Sequence, residues 1–268
     1  MTPQGGCLPL KPLQYLNQIE KIEVELTKLN ASRSLVPFKR QLEVFKIGDT
    51  TLLRDQTDPA SDYYNRIKGF GPQDLPGLDN MLSYYYNGAP SFDMSPNHMT
   101  EEVTRALSER GFLPVEQLVF MFINASDEIN TTSAFAIERV TEKSAEEFIR
   151  WIGLSKEGME INDEMIARSK AYFYNPNFIN YMLRIDDNPA AMGSLFLNGQ
   201  EGYIANDYTF SNYRGRGCQL ALLRQRLSDA AKLGVKTVYT DVEFGSISHG
   251  NMAKVGFKTA FLNTIWTK

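Results

Sequence analysis

The sequence predicts a mixed α/β protein organised as two domains. Three observations carry that prediction. Segments of helical period alternate with strand-like runs separated by turn signals. The length of 268 residues favours two domains, at about 100–200 residues each. The composition, 43% hydrophobic and 22% charged, suits a soluble globular chain that builds its own core without metals or disulfides.

Residues 12–30 space Leu13, Leu16, Ile19, Ile22, Val24, Leu26 and Leu29 among charges at roughly helical intervals, which predicts a helix. Strand-like runs at 42–47 and 51–54 flank the turn pair Gly48-Asp49 and predict a hairpin. Helices are expected at 74–87, ending near Gly88, and within 95–110, stopped by Gly111. An apolar strand is expected at 112–123. The segment 124–134, NASDEINTTSA, has few large apolar residues and several turn formers, so it is the expected domain boundary. The domains are accordingly drawn at 1–130 and 131–268.

The second half reads more clearly. A strand is expected at 135–140, and Ser144 with Glu147 three residues on has the pattern of a capping box heading a helix. A further helix at 163–172 precedes three strands at 178–185, 191–197 and 202–210, with turns at 186–189 and 198–201. Leu220, Leu223, Leu227 and Ala230 line one face of a helix over 216–233, and Gly234 stops it. A strand at 235–242, a short helix at 246–255 and a last strand at 257–266 follow. The order is β-α-α-β-β-β-α-β-α-β.

Composition excludes several functional classes. The net charge is -4 and the two cysteines, Cys7 and Cys218, match no zinc or disulfide spacing. With His98 and His249 as the only histidines, no metal site is expected. Neither nucleic acid nor membrane is an expected partner: no global positive field exists, and no stretch reaches the roughly 20 apolar residues of a span. The first residues lack the apolar core of a signal peptide, so the expected location is cytoplasmic. The first 134 residues hold 12 basic and 17 acidic residues and the remainder 16 and 15, so the second half is the less acidic one.

The stretch 208–223, YTFSNYRGRGCQLALL, ends a strand, turns through two glycines and opens an amphipathic helix. Glycines let backbone N–H groups approach a ligand, the helix N-terminus adds about half a positive charge, and Arg214 and Arg216 add full ones. Together they suit a phosphate or pyrophosphate. The same residues also suit a solvated arginine turn that caps a core helix, because isolated glycine motifs are weak signals.

RGRGCQ beside a strand resembles the pyrophosphate loop of the GNAT superfamily of N-acetyltransferases, which reads Q/R-x-x-G-x-G/A. Arg214 and Gly217 match, and Gln219 departs from the last position. The later run 245–257, GSISHGNMAKVGF, is similar to a motif of a tandem GNAT subgroup whose first half is degenerate. The resemblance, which covers roughly residues 135–268, implies two GNAT-like domains, each a mixed, mostly antiparallel twisted sheet flanked by helices.

It also implies an acetyl-CoA-dependent N-acetyltransferase acting by direct transfer in a ternary complex. CoA would lie on Tyr208, Thr209, Phe210, Arg214, Gly215, Arg216, Gly217 and Cys218, and its pantetheine and adenosine ends near Ser246 and Asn251. Ser246 reads equally as a simple helix cap. Cys218 is expected to be a backbone donor rather than a nucleophile. Direct transfer needs a base, and Asp207 and Glu243 are the candidates, although each also reads as a salt-bridged or solvated carboxylate at a strand end. The family's tyrosine acid falls at Met252, which has no hydroxyl, so either Tyr208, Ser246 or Ser248 substitutes or the thiolate leaves towards solvent and a helix N-terminus. His249 with Ser248 and Gly250 lacks the order of a hydrolase nucleophile elbow.

In the first half the runs Tyr63-Tyr64 and Tyr84-Tyr85-Tyr86, with Phe92, suit either a substrate pocket or a core. No phosphate loop is visible there, and that half is expected to shape the acceptor site without binding CoA. The acceptor is expected to be a small-molecule or peptide amine, and the protein a monomer or homodimer. A CoA-binding regulator with little turnover is the alternative that the missing tyrosine leaves open.

Overall fold

The computed structural model describes residues 11–86, 88–125 and 135–268. Most of the expected boundary segment, and Cys7 with the other residues before 11, lie outside the described residues.

The chain starts with a 3-10 turn, Lys11–Tyr15, leading into α1, Leu16–Ser32. The hairpin β1, Leu42–Ile47, and β2, Thr50–Asp55, follows as expected. Next come β3, Arg66–Lys68, a 3-10 segment Pro72–Gly77, α2, Leu78–Ser83, β4, Ser91–Met94, α3, Glu101–Glu109, and β5, Leu113–Asn124. The two helices expected here are shorter than their sequence patterns. Pro72 and Pro76 hold the entry to α2 in the 3-10 form, and Thr100 caps α3, its side chain accepting from the Val103 N–H. The strands β3 and β4 were not expected. Both are buried on both faces and carry Arg66, Lys68 and Asp93, so no apolar alternation marks them.

The second half contains β6, Ala136–Arg139, α4, Ala145–Ser155, α5, Asp163–Ser169, β7, Phe178–Ile185, β8, Asn188–Asn198, β9, Glu201–Thr209, α6, Cys218–Lys232, β10, Thr237–Glu243, α7, Ile247–Val255, and β11, Lys258–Thr267. The expected order holds. The capping box at Ser144 does not form: its hydroxyl accepts from the Thr141 N–H, and Glu147 pairs instead with Arg184.

All eleven strands join one sheet in the order β1-β2-β3-β4-β11-β5-β10-β9-β8-β7-β6. Every neighbouring pair is antiparallel except β3–β4 and β9–β10. The last strand of each half is exchanged: β5 lies between β10 and β11, and β11 lies between β4 and β5. Neither half therefore completes its sheet from its own residues.

The period of two along each central strand sorts side chains to opposite faces. Val119, Met121, Ile204 and Val238 pack with Leu222, Leu223 and Leu227 of α6. Phe120, Tyr203, Tyr239 and Phe261 pack beneath Leu16, Ile19, Ile22 and Leu26 of α1. On β3 and β4 the apolar Ile67 and Phe92 join the core around Leu107 and Trp266. The intervening Arg66 and Lys68 meet α1 instead, where Glu23 bonds each at 2.7 Å, and Lys68 also pairs with Asp93 of β4.

Candidate active site

The site lies where β9 and β10 part. These parallel strands pair only over Glu201–Tyr203 and Thr237–Tyr239, and each then runs on without the other. A register shift between Met192 and Ser194 on β8, with Asn206 in the left-handed region at φ 55°, bends β9 away. The gap is a cavity of about 360 Å³ lined by residues that include Asn206, Asp207, Asp241, Glu243, Ser248 and Met252. It adjoins a larger groove of about 520 Å³ that shares Asp207, Gln219 and Ser248 with it.

One end of the groove is the glycine loop. Gly215 and Gly217 hold φ of 77° and 84°, and a Cβ on either would meet nothing within 4 Å, so glycine is required there for the backbone rather than for space. Helix α6 starts at Cys218 with no side-chain cap and no acidic residue in its first turn, which leaves its positive end uncompensated. Arg214 lines the groove while its Nε donates to the Thr209 carbonyl at 3.3 Å, and Lys254 of α7 adds a second cation.

Cys218 is buried, with Sγ 3.7 Å from the Tyr213 carbonyl, and burial pushes its thiol pKa up, the opposite of what a nucleophile needs. Arg216 is turned onto the Tyr213 ring, 5.4 Å from its centroid, and does not line the groove. Tyr208 and Thr209 do line it. Phe210 stands edge-on to Tyr208 and Trp151 and supports the wall from behind.

The carboxylates divide by environment. Asp207 pairs with the fully buried Arg226 at 2.5 Å, and Arg226 also donates to the carbonyls of Leu222 and Ser194 at 3.1 Å. Burial raises the Asp207 pKa, against the pull of Arg226 and Gln219. Its reading as a salt-bridged strand-end carboxylate is thus the one its geometry matches. Glu243 lies exposed at the mouth of the cavity. Asp241, two residues earlier, accepts a 2.6 Å hydrogen bond from the Tyr203 hydroxyl, and burial raises its pKa.

On α7, Ser246 accepts from the His249 N–H at 3.1 Å, so it caps the helix while also lining the cavity. Gln219, the motif's departure, joins the two helices. Its Nε2 donates to the Ser248 hydroxyl at 3.0 Å and lies 3.5 Å from Asp207 Oδ2, while its Oε1 accepts from Asn251 at 2.7 Å. Ser248 accepts in that bond, so its own hydroxyl hydrogen is left to donate. Met252 is buried and walls the cavity.

Most of the residues singled out from the sequence line this groove or the cavity beside it. Sequence reasoning missed Asp241, Tyr203, Arg226 and Lys254 as their surroundings. Asp241 shares β10 with Glu243 at the same parity, which is the one local signal that both point to the same face. Arg226 lies inside an otherwise apolar helix face, and that was the available signal for it.

No model of a known protein family matches the sequence, and no curated protein matches it. Solved structures do. A GCN5-related N-acetyltransferase from Kribbella flavida superposes with a TM-score of 0.63 at 14% identity, covering 92% of this chain and 93% of that one. A conserved protein of unknown function from Staphylococcus epidermidis gives 0.61 at 10% identity, over 83% and 91%. A tandem GNAT protein from the clavulanic acid biosynthesis pathway gives 0.55 at 10%, over 93% and 95%. The fold is that of the GNAT superfamily, in the form with two GNAT-like domains. No helix among the described residues is long and apolar enough to cross a membrane. Nor does any group of three or more His, Cys, Asp or Glu among them suit a metal ion.

Proposed function

We propose that the protein is an acetyl-CoA-dependent N-acetyltransferase that moves the acetyl group directly to an amine. The observation that carries this reading is the continuity of the groove with the cavity. A loop of left-handed glycines at an open helix N-terminus, flanked by Arg214 and Lys254, suits the pyrophosphate of CoA. From it the groove leads along Tyr208 and Thr209 into the gap between β9 and β10. A thioester in that gap would have Ser248 beside its sulfur, and the Ser248 hydroxyl can hydrogen-bond the departing thiolate in place of the hydroxyl that Met252 lacks. The acidic cavity suits a cationic acceptor, and residues 1–130 would shape the acceptor side. Acting without a membrane or nucleic acid, in the cytoplasm, fits the same reading.

Calorimetric titration with acetyl-CoA tests the donor. Arg214→Ala with Gly217→Val should abolish binding, because a branched side chain cannot hold φ near 84° without strain. A persistent full-strength site in that double variant refutes the assignment. The Met252 position favours the second reading, a CoA-binding regulator with little turnover. Free-thiol release with a panel of amines separates the two: binding without release from any amine leaves the regulator.

A further inference from the structure

Most buried or half-buried carboxylates around the sheet have a cation of their own. Asp207 has Arg226, Glu23 has Arg66 and Lys68, and Asp93 has Lys68 with Arg66 at 3.6 Å. Asp241 does not. Among the described residues it is bonded to a phenol, Tyr203, and no ion pair joins it to a cation. Because β9 has already left β10 at this point, its flank on that side is the cavity rather than a neighbouring strand.

We infer that Asp241 accepts the proton of the incoming amine, and that the acceptor enters as an alkylammonium supplying the positive charge this carboxylate lacks. The inference rests on the acetyl-transfer reading and names a residue and a substrate class for it. Asp207 is occupied by Arg226, and Glu243 stands in solvent.

Besides Tyr203 on β9, which bonds it, the charged groups that act on Asp241 across the sheet are Glu23 on α1, Arg66 on β3 and Asp93 on β4. Burial and the two acids raise its proton affinity, while Tyr203 and Arg66 lower it. Three of these groups belong to the first half, which thereby acts on the chemistry without touching CoA. The step balances. The ammonium N–H bond breaks and the proton goes to Asp241; the freed nitrogen lone pair attacks the thioester carbonyl, forming C–N. The C–S bond then breaks, the thiolate takes the proton remaining on nitrogen with Ser248 hydrogen-bonded to the sulfur, and Asp241 returns its proton to solvent.

The test is thiol release by the full-length protein with acetyl-CoA and a panel comprising a diamine, an arylethylamine, an aminosugar and a tripeptide. Methoxyamine, already uncharged at neutral pH, is the comparison. Asp241→Asn should lower kcat/KM for the alkylamines by about 10²–10⁴-fold, lose far less with methoxyamine, and leave acetyl-CoA affinity unchanged. Tyr203→Phe should move the acid limb of the pH profile to higher pH, since it removes a hydrogen bond that favours the ionised carboxyl. Wild-type turnover of alkylamines by Asp241→Asn, or an equal loss with both kinds of amine, overturns the inference while leaving acetyl transfer in place. Silence of the unaltered protein with every amine, despite CoA binding, overturns both.

Discussion

Gly193→Ala is a one-carbon change with a large expected cost. Gly193 lies in β8 at the register shift against β9, and a Cβ there would stand 2.5 Å from Asp207 Oδ1, 2.7 Å from Arg226 Nη1 and 3.0 Å from its Cζ. Arg226 cannot swing aside, because it is fully buried and held by the carbonyls of Leu222 and Ser194. The pair must separate or the strand must shift. Breaking a buried ion pair costs about 3–5 kcal/mol, and alanine in a strand recovers about 0.5–1 kcal/mol of backbone entropy. The expected net loss is about 3 kcal/mol. With an unfolding entropy of about 2.1 cal/mol/K per residue, this lowers Tm by about 5 °C. Urea unfolding should show a lower midpoint at unchanged slope, and acetyl-CoA titration should show weaker binding, since Asp207 lines the groove. A midpoint within error of the parent would refute the claim that this glycine exists for the ion pair.

Gln219→Ala removes the link between α6, α7 and Asp207, and should cost about 2 kcal/mol of stability together with a measurable loss of acetyl-CoA affinity by calorimetry; unchanged values on both would show the link to be idle. Glu20→Gln tests a buried charge with an unbonded Oε1. Burial raises the Glu20 pKa above its ordinary 4.5, so its favourable state is the protonated one, fully present below that value and lost as pH rises through the folded pKa. The variant should therefore exceed the parent by about 1 kcal/mol at pH 8 and match it near pH 4, and urea midpoints that differ equally at both pH values would contradict this.

What was legible in the sequence was local. The helix α6, its glycine loop and the cap of α7 announce themselves through residues within a few positions of one another, and the structure has all three. The short strands β3 and β4 were illegible because their side chains answer to α1, more than 40 residues away in the case of Arg66 and Glu23. The capping box at Ser144 was a sound local pattern overridden by Arg184, which draws Glu147 away. Gln219 read as a defect of the loop motif, since its partners Ser248 and Asn251 lie on another helix.

The sequence by itself determined a mixed α/β chain, the order of its elements and the place of a glycine loop at a helix N-terminus, because periodicity, turn chemistry and backbone freedom act over a few residues. Only the tertiary structure decided which carboxylates are neutralised and which are free. Asp207, Asp241 and Glu243 are chemically alike along the chain. They differ because Arg226 reaches one across a helix–sheet interface, Tyr203 reaches the second across two diverging strands, and water reaches the third. The exchange of β5 and β11 was likewise a tertiary decision: strand pairing depends on which hydrogen-bonding edges meet, and no residue pattern within either strand records its partner.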